Sequence, residues 1–482
     1  MTGTGLASLT TAALLGTARS APDLGSLYTG TAARSLTGDP AQVLLGAAAL
    51  ESVFVTGGAI PAPSMPPAPA PDDDRPELPA AAVDRLQGML VVGSPLLAEW
   101  FSTAAHFRIP HEHVVDLLNR AATSATSYRD ELVQLTGARG RWLAAQNPQW
   151  AHLVPPDTAD DAVWLHATPA ARRRWFTALR AADPAAAAAV LSTAWRSEPA
   201  AHRLTFVEAL SDGLGDHDEP LLESALDDRS SKVREAACRM LRRLPHSAFA
   251  QRMAQRARDW MRVDAAGLPV AALEITVPDI LDESARRDGV DGVGAPGRFR
   301  DEHIRRLWTV AASAPLATWS EMAGSPAAAL TLRLPDGFDE AVRLGWDAAT
   351  ASQRDGQWAT ALLHRDGTVG DRVATALPQQ VLLDRLHRTD GQALLETALL
   401  EALPAPWPQD IAERVLAALY HTAPGSKLFT AVIALLSHRA PFELVDLLID
   451  ASNRTDDLER LHHFVTASDL LTQRKNFHEE LS

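Results

Sequence analysis

Between Asp218 and Leu244 the apolar positions recur with a helical period. Val233, Ala236, Ala237, Met240, Leu241 and Leu244 are spaced by three and four residues and form one stripe. Arg234, Glu235, Arg239, Arg242 and Arg243 fall on the other side, as a solvated helix face requires. A shorter helix precedes it on Leu221, Leu222, Ala225 and Leu226, and Asp227, Asp228, Ser230 and Ser231 supply turn and N-cap oxygens between the two.

The same texture extends in both directions. Leu6, Leu9, Ala13 and Leu14 mark a first helix, and Asp39-Pro40 opens a second carrying Val43, Leu44, Ala47, Leu50 and Val53. From Gly57 to Pro79 the proline content predicts an extended, mobile spacer, with Asp72-Asp73-Asp74 as a solvating charge run. Helical patterning resumes at Ala80 and leads into the string Gly137 to Trp150. Short boundary residues 151–168 (Pro155-Pro156, Asp157, Asp160, Asp161) follow. Thr168-Pro169 and Asp183-Pro184 cap the next two helices, and Gly213 closes a third. Leu273 to Val277 alternates like a brief strand, and Asp279 to Pro296 reads as a loop. Helices return at Arg300 and run through the tail, on Val415, Leu419, Val432, Leu436 and Leu448 among others.

An aspartate, four residues, then Val-Arg opening a helix with small residues along its stripe resembles a HEAT repeat. The resemblance implies that Asp228 and Arg234 bridge neighbouring repeats, and one repeat cannot bury its own apolar face. A second resemblance spans nearly the whole chain. Ala13-Leu-Leu-Gly-Thr17, the string Gly-x-Arg-Gly-x-Trp-Leu-Ala-x-x-Asn-Pro-x-Trp at 137–150 and the HEAT-like helices are similar to a bacterial family of unknown function. Its members tend to be encoded beside a MoxR-type AAA ATPase, a von Willebrand A-domain protein and a SWIM zinc-finger protein. This implies a component of an ATPase-centred system, with no activity assigned to it.

The expected architecture is all-α, built of HEAT-like helical hairpins in an α-solenoid with an additional N-terminal helical domain. The domains read as 1–150 (interrupted by the spacer 57–79), a repeat region 151–278, an Asp/Gly-rich loop 279–299 and a C-terminal helical block 300–482.

Composition narrows the function classes. The chain has 482 residues and a net charge of −15, which disfavours general binding to nucleic acid or anionic membranes. Only residues 170–262 are basic, with 16 Lys and Arg against 12 Asp and Glu. The single cysteine, Cys238, excludes an internal disulfide and reads as a packed thiol. No signal-peptide pattern and no uninterrupted apolar run of about 18 residues is evident, so a cytoplasmic, soluble protein is expected.

Candidate chemistry is thin. His111 and His113 would diverge on a helix, and HEHVV lacks a second histidine four residues on. Gly425-Ser426-Lys427 lacks the Gly-Lys-Ser/Thr order of a phosphate loop. No catalytic, cofactor or metal site is expected. The reading is a non-enzymatic scaffold or adaptor, its partner a MoxR-type ATPase or von Willebrand A-domain protein. Candidate partner-binding residues are Arg139, Arg141, Trp142, Asn147 and Trp150, because tryptophan and arginine are typical hot-spot residues. The ridge Arg234, Arg239, Arg242 and Arg243 comes second. The competing reading places that ridge on nucleic-acid phosphates, with Arg172, Arg173, Arg174, Arg252, Arg256 and Arg258.

Overall fold

The computed structural model describes residues 4–57, 67–123, 128–154, 156–159, 161–264 and 271–482. The protein is all-α. Its described strands are Met261–Asp264 and Ala272–Ile275, paired antiparallel with Met261 opposite Ile275. The chain divides into two compact units, Met1–Ala70 and Pro71–Ser482.

In the first unit the helices Thr4–Leu15 and Pro40–Gly57 pack together over a small core. Asp39 caps the second, its Oδ1 accepting from the Ala41 and Gln42 N–H groups, while the Gln42 side chain returns a bond to the Asp39 N–H. Leu9, Leu27, Ala33 and Ala47 form the buried cluster. The Pro40–Gly57 helix has the length and apolar composition of a membrane span, and is the one such helix among the described residues. Its single charge, Glu51, is buried and turned inward. The carboxylate accepts from the Tyr28 and Thr29 N–H groups and the Thr29 hydroxyl. Burial pushes this carboxyl up, and the three donors more than offset it, leaving it below its ordinary value.

The second unit contains two apolar cores. One is built by residues 78–153. The other runs from Trp164 to Leu471. The last helix, Leu458–Glu480, belongs to both: Phe464, Ala467 and Leu471 enter the long core, and Phe477 and Leu481 just beyond it enter the first. Ion pairs fix this junction. Arg474, buried, donates from Nε and Nη2 to Glu99 at 2.7 and 2.9 Å, and Arg85 pairs with Glu480 at 2.5 Å. Burial raises the Glu99 pKa, and the hydrogen bonds from Arg474 and His478 bring it below its ordinary value. Module 78–153 is thus packed against the far end of the chain.

The stripe Val233, Ala236, Ala237, Met240, Leu241 and Leu244 is buried at every position. Thr168 and Asp183 cap their helices through side-chain oxygens. Gly213 adopts the left-handed conformation (φ 66°). Ser230 precedes its helix but makes no side-chain cap bond; the turn oxygen comes from Asp228, whose Oδ1 accepts from the Ser230 N–H.

Four expectations need correction or restriction. Residues 58–66 of the proline-rich stretch, with Pro155 and Asp160 of the 151–168 boundary, lie outside the described residues. Within that boundary, Asp161–His166 is helical and buries Trp164. The end of the proline-rich stretch is not a free spacer. Leu78 is buried, its N–H donates to the Arg108 carbonyl, and Arg108 N–H donates to the Pro76 carbonyl. Asp73 is engaged rather than solvated, as described below. The Asp/Gly-rich segment holds a helix, Glu283–Arg287, capped by Asp282, followed by fully buried Asp288 and Val290. Its lack of periodicity reflects burial through a few specific side chains instead of a stripe.

Candidate functional site

The 137–150 string lies on the helix Arg129–Gln146, which is interrupted at Gly137 (φ 67°, ψ −157°). The interruption is filled by the end of the proline-rich stretch. Asp73 Oδ2 accepts from the Ala138 N–H at 3.0 Å, and a Cβ on Gly137 would sit 2.1 Å from that same oxygen. Arg75 grips Asp73 with two hydrogen bonds, at 2.9 and 2.8 Å, and donates to the Gln134 and Phe107 carbonyls. The Arg75 guanidinium therefore holds the Asp73 carboxyl well below the usual carboxylate range, against partial burial, and the Ala138 N–H adds to the effect. Gly140 is constrained as well, since its Cβ would meet the Thr136 hydroxyl at 1.9 Å.

The other members of the string divide by role. Trp150 is half-buried against the 78–153 core and donates from Nε1 to Asn119 Oδ1 at 3.2 Å. Asn147 closes a local turn, its Oδ1 accepting from the Gln149 N–H. Trp142 is half-buried. Arg139 and Arg141 are exposed. The glycines, Asn147 and Trp150 thus hold the helix and its exit in place, and the two arginines face outward beside Trp142 in sequence.

The second candidate set does not form a solvated ridge. Arg242 is buried, donates from Nε to Ser313 Oγ and from Nη2 to the Val293 carbonyl, and lies 5.4 Å from the Trp308 ring centroid. Burial pushes its pKa down. Arg243 donates to the Ser211 carbonyl. Arg234 is half-buried, its guanidinium on the Asp228 and Arg229 carbonyls. Arg239 is exposed, 3.7 Å from Glu208. Arg234 thus stays on carbonyls of the turn before its own helix instead of bridging to a neighbouring repeat, as the resemblance implied, and the Asp228 carboxylate has a different partner. That partner is Arg203, at 2.6 Å and 3.0 Å, from the preceding Ala200–Ala209 helix. Burial raises the Asp228 pKa, and the bonds from Arg203 and the Ser230 N–H bring it below its ordinary value.

Several further arginines are similarly committed. Arg172 pairs with Glu198, and Arg174 donates to the Val154 carbonyl. Arg252 and Arg256 converge on Asp288 at 2.8 and 2.7 Å, and Arg252 and Arg287 share Glu223. Arg258 bonds Glu321 at 2.9 Å. Arg173 is exposed. Arg180, which periodicity did not single out, is fully buried and donates to both oxygens of equally buried Asp218 at 2.7 and 2.6 Å. It also serves the Leu210, Asp212, Gly213 and Pro184 carbonyls. The signal for it was weak: an arginine at a position continuing the Trp175, Phe176, Leu179 stripe.

The remaining chemistry is sparse. An open groove of about 1000 Å³ lies between the helices Pro326–Thr331 and Gly356–Asp366, lined by Leu330, Thr360, Ala361, His364, Arg365 and Pro378 among others. No cluster of metal-ligating side chains occurs among the described residues. His111 to His113 form a single 3₁₀ turn. Ser426 caps the Lys427–Arg439 helix through the Phe429 N–H. Cys238 is buried, and burial pushes its thiol up to about 11, leaving it unreactive near neutral pH.

These features define an all-α protein with a clamped, kinked helix that exposes Arg139 and Arg141. Residues 8–481 match a family model, and the chain belongs to DUF5691, a family of unknown function. No curated protein and no solved structure matches it.

Proposed function

We propose that the protein is a non-enzymatic scaffold that binds another protein through the part of the Arg129–Gln146 helix that follows its kink and exposes Arg139 and Arg141. The observation that carries this reading is their exposure on a helix whose kink is held by Asp73 and Arg75. A surface fixed before binding loses less conformational freedom on docking, and arginine beside tryptophan suits a hot spot. Sequential helices pack on near neighbours, Pro169–Ala182 on Pro184–Ala194 and Glu219–Ala225 on Ser231–Leu241, which supports a HEAT-like, solenoidal arrangement. By family resemblance, the partner is a MoxR-type ATPase or a von Willebrand A-domain protein in a bacterial cytoplasm. The nucleic-acid reading draws less support, because many of the arginines it requires already serve carboxylates or carbonyls within the chain.

The test is affinity capture of the full chain from native lysate, with and without nuclease, read by mass spectrometry. Recovery of one of those partner classes in both samples is expected. Arg139→Glu with Arg141→Glu should reduce it at least tenfold without loss of helicity, and Trp142→Ala should weaken it as well. Undiminished recovery by the double variant, or recovery that disappears with nuclease, would overturn the proposal.

A further inference from the structure

The groove between Pro326–Thr331 and Gly356–Asp366 has a regular wall. Gln357, Ala361 and Arg365 line it at intervals of four residues, and Gly356, Thr360 and His364 run beside them. Two such columns make one face of a helix, about 12 Å long. The small side chains of Thr360 and Ala361 leave its middle open. Buried Leu330 lines the groove from the facing helix, with Pro326 four residues before it. Pro378 stands at the Gly356 end, where a Cβ on that glycine would lie 3.1 Å from its ring. A second cavity of about 480 Å³ adjoins this end and shares Asp355 and Gln357.

The polar groups of the groove are unevenly distributed. Thr331 and Thr360 donate their hydroxyls to the Ala328 and Gly356 carbonyls, and Ser325 Oγ accepts from the Ala328 N–H. These hydroxyls are committed to their own helices. A peptide laid along the groove would therefore bury amides without hydroxyl partners, which favours a hydrocarbon body instead. The charges divide between the two ends. Asp355 stands at one, its carboxylate accepting from the Gln357 and Trp358 N–H groups, and Glu321 lines the adjoining cavity. His364 and Arg365 stand at the other. His364 is exposed, with no hydrogen-bond partner among the described residues. Arg365 binds Asp366 through Nε and Nη2 and leaves Nη1 unbonded. An anion is thus disfavoured at the first end and favoured at the second.

We infer that this groove binds an amphiphilic carboxylate, its unbranched hydrocarbon chain along Leu330 and Ala361 and its anionic group at His364 and Arg365. An apolar wall with a few polar groups at fixed places is the usual form of a small-molecule site. The site shares no residue with the Arg139 and Arg141 surface.

Isothermal titration calorimetry of the full chain with decanoate, below its micellar concentration, supplies the test. One decanoate per chain is expected. Ala361→Trp fills the groove and should abolish binding with no loss of helical signal. Thr360→Phe fills it from the neighbouring column and keeps the test decisive if the first variant fails to fold. His364→Ala with Arg365→Gln should weaken binding about tenfold, the effect of losing one charge-assisted hydrogen bond. Decanol should bind the wild type more weakly than decanoate by a similar factor. No binding by the wild type, binding that survives both filling substitutions, or decanol binding as tightly as decanoate would overturn the inference. So would tighter binding of a neutral alanine- and leucine-based pentapeptide amide that Ala361→Trp abolishes.

Discussion

The two units share an Ala- and Leu-rich helical texture and use it in opposite ways. In Pro71–Ser482 a core runs from Trp164 to Leu471, and buried Arg180 and Asp288 are paired, with Asp218 and with Arg256. Among the described residues of Met1–Ala70 the large apolar side chains lie mostly outside, and the buried charge, Glu51, is held by two backbone N–H groups and a hydroxyl. The difference shows that apolar periodicity measures the capacity for burial; burial itself requires neighbours. Where many helices follow one another their stripes find partners, and where only a few elements are present they do not.

The sharpest way to break this comparison is to remove one large apolar side chain from each unit. Trp346 is fully buried between Trp319 and Trp358, with ring centroids 5.7 and 5.6 Å away. Trp346→Ala should cost about 3–5 kcal/mol in denaturant unfolding. Leu45→Ala, at an exposed position, should change stability by no more than about 0.5 kcal/mol. Similar losses at both sites would mean that Leu45 is packed.

The buried carboxylates give a second contrast. Asp218→Ala strands the buried Arg180 guanidinium and should cost about 3 kcal/mol, with part of the loss recovered by adding Arg180→Met. Glu51→Gln retains an acceptor for the Tyr28 and Thr29 donors, so about 1 kcal/mol is expected. Urea melts of the three variants against wild type supply the measurement. Equal costs would show that backbone donors and a guanidinium hold a buried carboxylate alike.

The smallest effect concerns the clamp at Gly137. The Asp73 pKa is lowered in the folded state, so its ionised form stabilises the protein above the unfolded value of about 3.9, and that contribution disappears as the pH falls through the folded value. Asp73→Asn should be less stable than wild type at neutral pH, and the gap should narrow below about pH 4. A gap independent of pH would assign the role of Asp73 to shape rather than charge.

Part of this was legible in the chain. The all-α class, the stripe from Val233 to Leu244 and the caps at Asp39, Thr168 and Asp183 follow from residues within a few positions of one another. The unusual composition of the 137–150 string was visible too, but not what packs against it. Gly137 and Gly140 are explained by Asp73 and Thr136, and no local pattern announces that a carboxylate 64 residues upstream occupies the place of a Cβ.

Local sequence determined which segments coil and which of their faces are apolar, because hydrogen bonding, capping and side-chain spacing act within one or two turns. Tertiary structure decided which arginines are buried, which carboxylate each one binds, and that the last helix completes the core of module 78–153. Those outcomes depend on desolvation and on partners from distant parts of the chain. A guanidinium reads the same in sequence whether water or Asp218 surrounds it, and only the fold supplies one or the other.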